Sequence, residues 1–184
     1  METRIYVSGK IKSVYRSLEI NPLPYKVEME CHNNSWNAHF TSIENKKCWV
    51  ITHTKTRYTV VIPDVSAKKA NDLRYWFMDQ IINQYLKDDD RINFAQNVDP
   101  SQFENFFGEF KFYPTNNDKS CIAYVNKRNE DLEWRKYNDG YDGIPFYQFG
   151  AWINRIGSMK RNGKSEHIQP VKEMLELIKA SVTC

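Results

Sequence analysis

The densest group of side chains able to move protons or hold a phosphate lies in His53-Thr54-Lys55-Thr56-Arg57-Tyr58. Metal-independent RNA cleavage needs a base titrating near neutrality, a cation on the phosphate and a second proton donor. His53, Arg57 and Tyr58 are of those types, and the end of a hairpin can display them together. A polar turn between antiparallel strands would look the same. Arg161 and His167 bracket a short basic run and could complete such a site. Cys31, His32, Cys48 and His53 offer metal-ligand types, but the pairing at two to four residues that closes a zinc knuckle is missing. No metal or cofactor is expected.

A second group is Thr115-Asn116-Asn117-Asp118-Lys119-Ser120. Thr115, Asn117, Lys119 and Ser120 could hold an anion at a helix start, where backbone donors and the helix dipole favour negative charge. The same polar residues also cap free backbone donors, which is their commoner use. A third group is aromatic and basic. Tyr137, Tyr141, Phe146, Tyr147, Phe149 and Trp152 are interleaved with Arg135, Lys136 and Arg155 and followed by Lys160, Arg161 and Lys164. Tyr, Trp and Arg anchor protein interfaces, so this stretch is the expected contact surface for a protein partner. Rings beside cations also suit single-stranded nucleic acid.

The elements that must position these groups follow from periodicity. Ser35 to Ile43 alternates Trp36, Ala38, Phe40 against Asn37, His39, Thr41, and apolar runs follow at Cys48–Thr52 and Tyr58–Ile62. Short polar turns between them predict an antiparallel β-meander of three or more strands. Ser66 is set to cap a helix from Ala67 to about Leu86. Arg4–Val7 reads as a strand and Lys10–Leu18 as a helix. Arg91–Gln96 reads as a strand, Ser101–Phe107 and Ser120 to about Lys136 as helices. Phe146–Ile156 and a segment from Pro170 to Val182 are also helical by spacing. The fold class is α+β, one domain over 1–184, with a helical carboxy-terminal extension over 138–184 and a flexible basic stretch at Ser158–Ser165.

Two segments resemble a bacterial and phage family catalogued as a domain of unknown function. The first runs from Trp36 through the Lys46-Lys47-Cys48 turn and the His53–Arg57 turn to Leu86. The second is Pro114 to Ser120, leading through Ile122-Ala123 to Asn126. The likeness covers roughly 1–137. Ser8-Gly9-Lys10 replaces the Thr-Lys-Lys opening of that family, and Lys127 stands where an acidic residue is usual. The family implies a fold and no activity. Arg161-Asn162 followed by His167 is similar in spacing to the active-site motif of the HEPN ribonucleases, in which the two residues ride on paired helices. Gly163 and the strand pattern depart from that all-helical scaffold.

Composition bounds the rest. The chain has 184 residues, 26 Lys+Arg against 23 Asp+Glu and a formal charge of +3, too mild to announce nucleic acid. Aromatic residues make up 14%, enough buried ring surface to exclude disorder. A mean hydropathy of −0.69 excludes a polytopic membrane protein. Four widely spaced cysteines and no leader-like segment point to reduced thiols and a cytoplasmic setting. The expected function is a non-catalytic protein-interaction module, in a phage or mobile-element accessory protein that engages a host or defence partner. The alternative is a small metal-independent ribonuclease of toxin type.

Overall fold

The computed structural model describes residues 2–88, 93, 98–155, 157–161 and 164–181. The strand expected over Arg91 to Gln96 falls outside them, Asn93 apart. Strand β1 (Thr3–Val7) ends at Ser8, whose hydroxyl accepts from the Ile11 amide and starts α1 (Gly9–Val14). This helix is shorter than its periodicity suggests. Tyr15 ends it by turning inward, between Phe40 and Trp49, with its hydroxyl donating to the Val65 carbonyl at 2.6 Å. A short helix α2 (Lys26–Cys31), absent from the sequence reading, leads into β2 (Ser35–Ile43), β3 (Lys46–His53) and β4 (Thr59–Ile62).

The sheet is mixed, which corrects the expectation of antiparallel pairing. Its order is β4-β3-β2-β1-β5, where β5 is Phe110–Pro114. Strands β2 with β3 and β3 with β4 run antiparallel, whereas β1 lies parallel to both β2 and β5. Parallel neighbours need crossovers rather than hairpins. Here the chain between β1 and β2 carries α1 and α2, and the return to β5 comes after the whole antiparallel section.

Strand alternation gives the sheet two different faces. One presents Ile5, Val7, Trp36, Ala38, Phe40, Trp49, Ile51, Val60 and Ile62 to the larger core. Packed there are α1, α4 (Leu73–Lys87), α5 (Pro100–Phe106) and α8 (Pro170–Ala180), the last through Val171, Met174, Leu175 and Ile178. The long helix expected from Ala67 is broken at Asp72, which leaves α3 (Ala67–Asn71) ahead of α4. The other face mixes Cys48, Val50 and Val61 with Asn37, His39, Thr41, Thr52 and Thr59. It is covered by α6 (Lys119–Asp139) and α7 (Phe146–Ile153), whose Val125, Leu132, Phe149 and Ile153 build a smaller core.

Helix α7 also packs on α4, closing the β4 side of the sheet. Gly150 makes that approach close: a Cβ there would lie 2.1 Å from Gln84 Nε2. The next element is a β-hairpin, β6 (Gly157–Arg161) with β7 (Lys164–Ile168). It replaces the flexible stretch and interrupts the helical extension expected after residue 138. Both borders of the main sheet carry hydrogen bonds from outside it. On β4, the Asn154 side chain bonds the N–H and C=O of Thr59. On β5, Ile20 bridges to Phe112 and the Asn21 amide donates to the Phe112 carbonyl at 2.8 Å.

Candidate functional site

His53 closes β3, and its ring is buried with no exposed surface. Nδ1 accepts from the Thr56 amide at 3.1 Å, which puts the ring proton on Nε2, and that donates to the Asn33 carbonyl at 2.8 Å. Trp36 packs edge-on against the imidazole at 4.8 Å. Burial pushes the pKa down to about 3. Both nitrogens are engaged in holding the turn, so His53 has no reach to a substrate. Tyr58 is equally buried, stacked on Tyr85 at 5.3 Å with its hydroxyl donating to Gln84 Oε1 at 3.0 Å. Burial raises its pKa well above the ordinary phenol value. His53 and Tyr58 therefore do not serve as the base and acid of a ribonuclease.

Arg57 adopts a left-handed backbone with φ +62° and is buried. Its guanidinium donates to the Thr54 carbonyl and, through Nη2, to Ser120 Oγ at 3.0 Å. Asp118 Oδ2 lies 3.9 Å from Nη1. The two polar turns singled out in the sequence are thus one structure. Arg57 ties the β3–β4 turn to the start of α6 across 63 positions.

At that start the side chains cap the backbone. Thr115 Oγ1 accepts from the Asn117 amide, Asn116 Oδ1 from Asp118, and Asp118 Oδ1 from Cys121 at 2.9 Å. Asn117 supplies the positive φ of the turn. Side chains of the turn already occupy the Asn117, Asp118 and Cys121 amides, and the Asp118 carboxylate faces the positive end of the helix. Ser120 is held by Arg57, and Lys119 is exposed. Thr115, Asn117, Lys119 and Ser120 form a capping turn rather than an anion cradle.

The buried histidine makes stability pH-dependent. Its folded pKa lies below the ordinary 6.5, so the folded state disfavours the proton that the unfolded chain accepts. That contribution is complete above about pH 6.5 and is lost as pH falls toward 3. One proton corresponds to about 1.4 kcal/mol per pH unit. His32, half-buried near Arg4 and pushed down to about 4, acts in the same direction. Urea unfolding at stepped pH should show stability falling below pH 6.5 with a slope that His53→Gln reduces by about one proton. An unchanged slope in that variant would contradict the assignment.

The third group disperses. Tyr141 is buried beneath Lys46, whose Nζ lies 3.9 Å from the ring centre. Tyr147 is half-buried and donates to Asp79 Oδ2 at 2.8 Å. Arg155 donates to the buried Asp88 at 2.9 Å. Lys160, Arg161 and Lys164 lie on the β6–β7 hairpin, where Arg161 is opposite Lys164 and His167 opposite Ser158. Three rungs, about 10 Å of strand, separate those two pairs. Both residues of the HEPN-like spacing lie on strands rather than on paired helices.

Trp152 does reach the surface, 47% exposed, and joins Arg135 and Tyr137 of the same aromatic and basic group, together with Trp134, which lies outside it. Trp134 and Tyr137 on α6 are 61% and 89% exposed. The Arg135 guanidinium lies 5.7 Å from the Trp134 ring and 5.9 Å from Trp152. Asp139 holds it at 3.2 Å. Two large rings on a helix segment otherwise rich in Glu, Lys and Arg are the signal that could have revealed this cluster.

Among the described residues, no group of three or more His, Cys, Asp or Glu side chains is placed to hold a metal ion. Nor is any helix there long and apolar enough to cross a membrane. No curated protein matches the chain. A family signature described as a domain of unknown function, DUF6933, matches residues 12–173. The match runs past residue 137, where the resemblance read from the sequence stopped, through α7 and the hairpin to the first turn of α8. The chain belongs to the DUF6933 family.

Proposed function

We propose that this protein is a non-catalytic protein-interaction module whose contact surface is centred on Trp134, Arg135 and Trp152. The observation that carries the reading is the guanidinium set beside two exposed indoles from different helices. Rigid aromatic rings flanking an arginine supply large contact area at small entropy cost, and such residues dominate interface energetics. Tyr137, one turn from Trp134, extends the surface. The withdrawal of His53 and Tyr58 into the interior weighs against the ribonuclease alternative.

Truncating one such anchor costs about 2 kcal/mol of binding or more, so the double variant Trp134→Ala/Trp152→Ala should weaken partner binding by about a thousandfold. A pulldown with the full chain should recover a protein in stoichiometric amount, and the double variant should lose it while its thermal midpoint stays within a few degrees of wild type. Recovery unaffected by the double variant, or recovery of RNA alone, would overturn the reading.

A further inference from the structure

Strands β1 and β5 are adjacent and parallel, and each hands the chain to a helix beyond its carboxyl end. The helices leave toward opposite faces of the sheet. α1 sends Ile11 into the larger core, and α6 sends Val125 into the smaller one. Divergence of this kind opens a crevice beyond the strand ends, where open α/β sheets commonly bind ligands. Here it holds a cavity of about 200 Å³ between β1, β2 and the first turns of α6.

Its apolar wall includes Ile122 and Val125, and its polar groups include Ser8, Asn37, His39 and Asn126. Tyr6 also lines it and is 2% exposed. Among the described residues, no Asp, Glu, Lys or Arg lines the cavity. His39 Nδ1 lies 3.0 Å from the Phe40 carbonyl, which can only accept, so that nitrogen carries the proton. Burial holds the ring pKa below its ordinary value. The imidazole is therefore neutral near pH 7, and Nε2 is left as an acceptor.

The geometry points to a binding site for an uncharged planar heterocycle of nucleobase type. The volume fits one ring system, and the Ile122 and Val125 wall suits the face of a ring. The Asn126 carboxamide matches the adjacent donor and acceptor of a base edge, the pairing by which Asn reads adenine, whereas Asn37 Nδ2 is taken up by Thr54 Oγ1 at 3.4 Å. A free nucleoside and a base presented by single-stranded RNA carry that same edge.

Saturation-transfer NMR with adenosine, cytidine and uridine, each at about 1 mM, detects even weak sites of this size. At least one nucleoside should give saturation transfer and a measurable Kd. Asn126→Ala, a substitution on the exposed side of α6, should weaken it at least about tenfold, a loss of about 1.4 kcal/mol. His39→Phe should do the same by removing the acceptor. The variant Trp134→Ala/Trp152→Ala should bind the nucleoside as wild type does, which separates this site from the protein-contact surface. An oligoribonucleotide arm distinguishes the source: competition with the nucleoside assigns the base to RNA, and its absence assigns the free compound. No transfer from any of the three nucleosides would overturn the inference. So would binding that survives both Asn126→Ala and His39→Phe.

Discussion

Asn154→Ala is expected to lower the unfolding free energy by about 3–5 kcal/mol, the combined cost of leaving several buried polar groups unpaired. Asn154 has no exposed surface. Its Oδ1 accepts from the Thr59 amide at 2.7 Å. Its Nδ2 donates to the Thr59 carbonyl at 2.8 Å and to Gly150 O at 2.9 Å, with Gln84 Oε1 3.3 Å away. Alanine would strand both backbone groups of Thr59 where α7 keeps water away. Aspartate would keep only the bond from the Thr59 amide, because a carboxylate cannot donate to a carbonyl, and it would add a buried charge. Urea unfolding followed by circular dichroism measures the loss. A change under about 1 kcal/mol would mean that water replaces the amide.

Trp36→Ala should cost a similar amount, about 3–5 kcal/mol, the range for removing a large ring from a packed core. Trp36 is fully buried near the start of β2. Phe77 lies 4.9 Å from it, His53 4.8 Å and Phe107 6.0 Å, so one ring joins the sheet to α4 and to the end of α5. Its Nε1 donates to Asn34 Oδ1 at 2.6 Å. Asn34 in turn donates to Thr3 Oγ1 at 2.8 Å and to the Phe106 carbonyl at 2.6 Å. Trp36→Phe keeps much of the ring packing and strands one acceptor, so it should lose about 1–3 kcal/mol. Equal losses in the two variants would show that the hydrogen bond, not the packing, carries the effect.

Strand 35–43 was legible because its side chains alternate, strands 46–53 and 59–62 because each holds a short apolar run between polar turns, and the turn between the first two is local. Glu44 and Asn45 both adopt positive φ, as a two-residue hairpin turn requires. The neighbours of β1 were not legible. Its partners Ser35–Ala38 and Phe110–Pro114 are about 30 and 107 positions away, and an apolar strand does not encode which strand lies beside it. The β6–β7 hairpin could have been read from Asn162-Gly163, a strong turn signal that its basic surroundings obscured.

Chemistry was harder to read than secondary structure. The capping of α6 was visible because its bonds span two or three residues. The role of His53 depends on the Asn33 carbonyl, twenty positions earlier, and on burial that residue type does not specify. His39 escaped notice because its strand pattern placed it on a polar face without saying that a cavity lies above it. Arg135 gains its meaning only when α7 brings Trp152 beside α6.

The two bonded borders of the sheet set how this protein can aggregate. Amyloid growth and strand swapping both begin on a free row of backbone donors and acceptors that templates an incoming chain. Here Thr59 on one border is occupied by an asparagine side chain, and Phe112 on the other by the Ile20–Asn21 segment. Edge-to-edge stacking of copies on the main sheet is opposed at both. The two guards differ in kind. The β5 border is covered by main chain, which few single substitutions can remove, whereas the β4 border depends on one carboxamide. Loss of Asn154 would therefore do more than destabilise the fold, since the Thr59 donor and acceptor would be free to pair with an incoming strand whenever α7 lifts away.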